Sequence, residues 1–91
     1  MSIQNFNIRV YGILTHSNGD VLLTDELRSD VKMTKFVGGG LEKGEGIGDA
    51  LKREFKEEMD IEIELESLFY INDFLQISAF NPKDQLISIY Y

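Results

Sequence analysis

The 91 residues include no cysteine, one histidine and one proline, and no apolar run approaches the roughly 20 residues that span a bilayer. Without cysteine, neither a disulfide framework nor a thiolate metal site can form. Without a long apolar run, no membrane helix is expected. The opening Met1-Ser2-Ile3-Gln4-Asn5 lacks the positive patch and apolar core of a secretory signal, so the chain reads as cytoplasmic. Basic residues are scarce: nine Lys and Arg stand against sixteen Asp and Glu, a net charge of −7. Such a field repels the phosphate backbone that nucleic-acid binders neutralise with basic patches. Polymeric nucleic acid is therefore disfavoured as a partner. A small phosphorylated molecule is not, because a divalent cation can supply the missing positive charge.

What is present fits one small globular domain. Hydrophobic residues make up 43% of the chain, which argues against disorder. Phe6 to Leu14 starts with period-two alternation and ends in a solid apolar run, as suits a strand half-covered at first and then buried. Ser17-Asn18-Gly19-Asp20 carries the Asn-Gly hairpin signal, and Val21-Leu22-Leu23 reads as the returning strand. Arg28 to Thr34 is polar and reads as a loop, followed by the short apolar Phe36-Val37. The glycine-rich stretch from Gly38 to Gly46 reads as irregular backbone. Ile47 to Met59 is full of helix formers and predicts a helix. Ile61 to Glu66 alternates strictly and predicts a strand. Ser67 to Phe80 reads as extended, Asn81-Pro82-Lys83-Asp84 as a turn, and Leu86 to Tyr91 as a last strand. The order β-β-β-α-β-β predicts an α/β domain with a mixed sheet.

The helix breaks three local rules together. At about 100° per residue, Ile47, Ala50, Leu51 and Phe55 fall on one side, and Lys52, Arg53 and Lys56 on the other. Glu54 and Glu58 fall within the apolar stripe with Glu57 on its flank, and burying an unpartnered carboxylate costs several kcal/mol. Spacings of three and four residues bring the three side chains to one face, and no basic residue lies four positions from Glu54. All three occupy the last turns, where the helix dipole disfavours anions by about 0.3–1 kcal/mol each. A glutamate-rich helix is ordinarily just a solvated face. Here the position of the carboxylates beside core residues favours another account. Clustered carboxylates are what a hard divalent cation requires.

The same residues complete a long spaced pattern. Gly39 is followed by Glu45 and then by Arg53-Glu54-Phe55-Lys56-Glu57-Glu58-Met59-Asp60-Ile61. This resembles the Nudix box, and Phe36-Val37-Gly38-Gly39-Gly40 resembles the segment that leads into it. The one departure is Asp60, which stands where the family has glycine. Asp tolerates the left-handed conformation expected there, so the helix end should be slightly weakened and the chemistry spared.

The resemblance covers nearly the whole chain from about Phe6. It implies a Nudix-like α/β/α sandwich with a mixed sheet, as one domain over residues 1–91 with its box at 39–61. The family domain continues past a point like Tyr91, so the C-terminal part is expected to be missing, and self-association through an uncovered apolar face follows. By resemblance, Glu57 and Glu58 are metal ligands and Glu54 is a further ligand or the base that activates water. A backbone carbonyl at Gly38 or Gly39 helps to hold the metal, Mg²⁺ or Mn²⁺. Glu45 and Arg53 form the structural ion pair that pins the loop, with Gly39, onto the helix. The implied activity is water attack on the diphosphate bridge of a nucleoside diphosphate linked to another group. A module on the same fold that senses a nucleotide or sugar phosphate without cleaving it is the alternative, ahead of a purely structural domain.

Three further sets of residues carry expectations. Arg9 alternates with apolar residues on the first strand and is a candidate to touch phosphate. His16, beside the Asn18-Gly19 turn, reads as a surface residue. Tyr70, Phe74, Phe80, Tyr90 and Tyr91 read first as core and second as faces on which a base could stack.

Overall fold

The alternating segment at the start of the chain becomes strand β1 (Asn5–Gly12), in a computed structural model that describes residues 2–91. It is followed by β2 (Leu23–Arg28), β3 (Val31–Gly40), helix α1 (Ile47–Met59), β4 (Tyr70–Ile71) and β5 (Asp84–Tyr90). The strands form one mixed sheet in the order β2-β3-β1-β5-β4. β1 runs antiparallel to β3, with Val10 opposite Gly39, and parallel to β5, with Val10 opposite Ile89. This is the α/β arrangement that the sequence predicts, with one helical layer among the described residues. No helix there is long and apolar enough to cross a membrane.

The core is the contact of α1 with the centre of the sheet. Val10, Val37, Ala50, Leu51 and Phe55 are fully buried there, with Ile47 and Met59 at its margin. The predicted apolar face of the helix is thus the buried one. Gly12 explains how closely the layers approach: a Cβ on it would lie 2.5 Å from the Phe55 ring. The left-handed Asp60 (φ 54°, ψ 39°) ends the helix, its N–H donating to the Lys56 carbonyl. It takes the conformation expected of the glycine it replaces.

Four sequence expectations need correction. The segment from Arg28 to Thr34 is no loop: it is the tip of the β2–β3 hairpin, turning on Ser29 and Asp30 with φ of 51° and 61°. Two successive positive φ values suit a primed hairpin turn, but Ser-Asp lacks the glycine that advertises one. The glycines at 38–40 are not irregular, since they complete β3 and pair with β1. The Asn18-Gly19 turn forms, with the His16 N–H donating to the Asp20 carbonyl, but only Thr15 and Val21 bridge across it. The strand that follows starts at Leu23 and pairs with β3 instead of β1.

Most instructive is Ile61 to Glu66, which forms no strand. Ile63 and Leu65 pack against the core cluster from outside the helix, and Leu65 lies against Gly48, where a Cβ would stand 2.6 Å from it. Alternation reported which side of the chain is covered. It carried no information about a hydrogen-bonding neighbour, and this segment has none among the strands. In the following stretch, read as extended to Phe80, only Tyr70 and Ile71 pair as a strand, with Tyr90 and Ile89.

Candidate active site

Arg53 organises the region where β3 meets the helix. Its Nε donates to Glu45 Oε2 at 3.0 Å and its Nη2 to Glu45 Oε1 at 2.7 Å, the forked pairing for which guanidinium is built. Nη2 also donates to the Gly40 carbonyl at 3.1 Å, tying the helix to the end of β3. Nη1 reaches Glu54 Oε1 at 2.8 Å and Glu57 Oε2 at 3.3 Å. The Arg53 side chain is only 22% exposed, so it does not lie on the solvated face assigned to it from helical spacing. It supplies the neutralising charge that no residue four positions from Glu54 could.

The electrostatics follow from those contacts. Hydrogen bonding to Arg53 is the main cause that holds the Glu45 carboxyl at about 2, and the Glu42 N–H assists at 2.8 Å. The same bond to Glu45 raises the Arg53 pKa further. Glu58 moves the other way: partial desolvation of its carboxyl raises its pKa, opposed by the charge of Lys35 and reinforced by that of Glu54. Glu58 is an exposed residue whose carboxyl lies beside the Gly38 backbone.

The three glutamates are not equivalent. Glu54 is the most covered, its side chain 13% exposed and its carboxylate seated on Gly39, where a Cβ would come within 2.7 Å. A side chain at position 39 would displace that carboxylate from its seat. Glu57 is open, 59% exposed, and turned towards Arg53. Glu54 and Glu58 thus lie against consecutive residues at the end of β3. Carboxylate and carbonyl oxygens are the donors that a hard divalent cation takes, so the donor set fits such an ion. As placed, no three acidic or histidine side chains among the described residues gather closely enough to hold one.

A cavity of about 180 Å³ adjoins this region, lined by Arg9, Tyr11, Glu26, Arg28, Lys35 and Phe80 among others. Three of the nine basic residues of an acidic chain therefore converge on one cavity. Arg9 lines it, with its Nε donating to the Tyr11 hydroxyl at 2.8 Å. The Arg28 guanidinium stacks 4.2 Å over the Phe80 ring. Tyr90 stacks on Tyr11, with centroids 5.3 Å apart, and so serves packing. Tyr91 packs against the core cluster, Tyr70 tilts against Tyr90, and Phe74 is exposed. His16 lies exposed in its turn, away from all of this.

A family model described as the NUDIX domain matches residues 5–91 of this sequence. The chain belongs to the Nudix family. This Nudix domain is similar to a solved NUDIX hydrolase from Nitrosomonas europaea, at 26% identity and a TM-score of 0.73, over 92% of this chain and 56% of that one. Two further structures share the fold. One, described for MutT from Aliivibrio salmonicida and Vibrio cholerae, gives 23% identity and a TM-score of 0.70, covering 93% of this chain and 64% of that one. The E. coli ORF135 protein gives 24% and 0.72, covering 94% and 60%. The Nudix domain thus spans between 56% and 64% of the length of these three structures. No curated protein sequence matches it significantly.

Lys35, Glu26 and Arg28 were not legible as site residues. All three lie on the β2–β3 hairpin, and Arg28 falls in the segment taken for a loop. Lys35 stands three residues before Gly38 on β3, and its ammonium comes within 3.4 Å of the Gly38 carbonyl.

Proposed function

We propose that this Nudix domain hydrolyses the diphosphate bridge of a nucleoside diphosphate linked to another group, with Mg²⁺ or Mn²⁺ as cofactor. The observation that carries the reading is the placement of Glu54 and Glu58 against Gly39 and Gly38, beside a cavity lined by cations. Glu54, Glu57, Glu58 and the Gly38 carbonyl are the groups that would hold the ion. When bound, it supplies positive charge to the phosphate oxygens and lowers the pKa of a nucleophilic water.

The chain's own residues do the rest. Arg53 partners Glu54 and Glu57 at 2.8 and 3.3 Å, so these anions stay oriented and partly neutralised before any ligand arrives. Glu45 and the Gly40 carbonyl hold Arg53 in turn. Desolvation raises the Glu58 carboxyl above its ordinary value, and the charge of Lys35 opposes that shift. Arg9, reached from the cavity, is the candidate for substrate phosphate. The substrate is small and soluble, as suits a cytoplasmic hydrolase. Neither polymeric nucleic acid nor a membrane enters the proposal.

The test is hydrolysis of a panel of nucleoside diphosphate derivatives with Mg²⁺, alongside Glu58→Gln. Turnover by the native sequence, reduced at least a hundredfold in the variant, is the expected result. Untouched turnover in Glu58→Gln would overturn the site. Binding without turnover would favour a sensing module on the same fold.

A further inference from the structure

Lys35 has no place in the proposed chemistry, yet it is a well-covered cation facing it. Its side chain is 16% exposed, which for an ammonium demands close partners. It has one carboxylate, Glu26 Oε2 at 3.2 Å, itself 42% exposed. A second donor of the ammonium points to the Gly38 carbonyl at 3.4 Å. The nitrogen lies 5.8 Å from the centre of the Tyr11 ring, at the cavity wall, and its charge is felt at Glu58. Lys35 therefore lines the cavity and, at the Gly38 carbonyl, reaches the edge of the acidic end of the site.

Resting on the reading of the site given above, we propose that Lys35 is the built-in cation of this site, opposing a divalent ion at Gly38 and Glu58 while attracting a diphosphate group to the same place. The argument is one of sign. An ion held by the Gly38 carbonyl shares that oxygen with an ammonium, and like charges a few ångströms apart repel even in water. An anionic diphosphate that reaches this point from the cavity meets the ammonium directly, with Arg9 further along the same wall. A residue that served packing alone would move both affinities in the same direction when replaced. A charge moves them in opposite directions.

The experiment titrates the full chain with Mn²⁺ alone, followed by paramagnetic resonance, and with inorganic pyrophosphate in the presence of a chelator, followed by calorimetry. Lys35→Met is expected to bind Mn²⁺ roughly three- to tenfold more tightly and pyrophosphate weaker by a similar factor. Lys35→Gln keeps a donor for the Gly38 carbonyl without the charge, and should behave like Lys35→Met even if the latter folds poorly. Lys35→Arg should restore both affinities towards the native values. Unchanged Mn²⁺ affinity in the uncharged variants, or loss of both affinities together, overturns the proposal. So does a native chain that binds Mn²⁺ but no pyrophosphate. A native chain that binds no Mn²⁺ removes the metal reading itself, and the Lys35 proposal with it.

Discussion

At the scale of single residues, one guanidinium decides how an acidic helix end is tolerated. Arg53 faces four carboxylates: Glu45, Glu54 and Glu57 within hydrogen-bonding distance, and Glu42 at 3.8 Å. The pairing with Glu45 has a pH signature. Its folded pKa of about 2 lies below the ordinary 4.5, so the stability it contributes is present above the ordinary value and drains as pH falls towards 2. Between pH 5 and about 2, the melting temperature of the native chain should therefore fall more steeply than that of Glu45→Gln. Parallel curves from the two proteins would refute the coupling. Glu45, Arg53 and the three glutamates were legible in the sequence because the box spacing is local. That Arg53 turns inward to serve them was not, since helical spacing alone placed it with Lys52 and Lys56.

At the scale of elements, glycines set how strand and helix meet, and two of them should respond differently to alanine. A Cβ on Gly12 meets the rigid, buried Phe55 ring at 2.5 Å, so the ring or the strand must shift. Gly12→Ala should cost about 1–3 kcal/mol; a melting temperature lower by several degrees checks it. On Gly39 the methyl meets only the end of the flexible Glu54 side chain. Gly39→Ala should melt within a few degrees of the native chain while its hydrolytic rate falls at least tenfold. Equal effects on rate and stability in both variants would contradict this division. At the other end of the helix, Asp60 holds a left-handed conformation that glycine adopts without strain. Its ion pair with Lys56, at 2.7 Å, is 58% and 84% exposed on its two sides and contributes little. Asp60→Gly should therefore stabilise the chain by a few tenths to about 1 kcal/mol, read from chemical denaturation. Helix boundaries were legible from composition. The β2–β3 hairpin was not, because its turn uses Ser29 and Asp30 in a conformation that other residues announce more plainly.

At the scale of the whole molecule, apolar surface is concentrated in one segment. Leu68, Phe69, Phe74 and Leu75 are each at least half exposed, beside the short edge strand β4. Unpaired strand edges and exposed apolar surface favour association with a second copy. We predict concentration-dependent self-association at micromolar levels in light scattering, and its loss in Phe69→Lys with Leu75→Lys. A monomer throughout would count against it.

The amino-acid sequence by itself determined the helix, its buried face and the acidic residues it carries, because all of these depend on neighbours within a few positions. It also carried the family pattern, since the box is a matter of spacing along one segment. The tertiary structure decided which alternating segment finds a hydrogen-bonding neighbour, which is why Ile61 to Glu66 lies over the helix unpaired while Gly38 to Gly40 joins the sheet. It alone placed Arg28 over Phe80 and Leu65 against Gly48. Such contacts join residues that strand pairing and loop closure bring together, and no local periodicity records the partner that a side chain will meet across the fold.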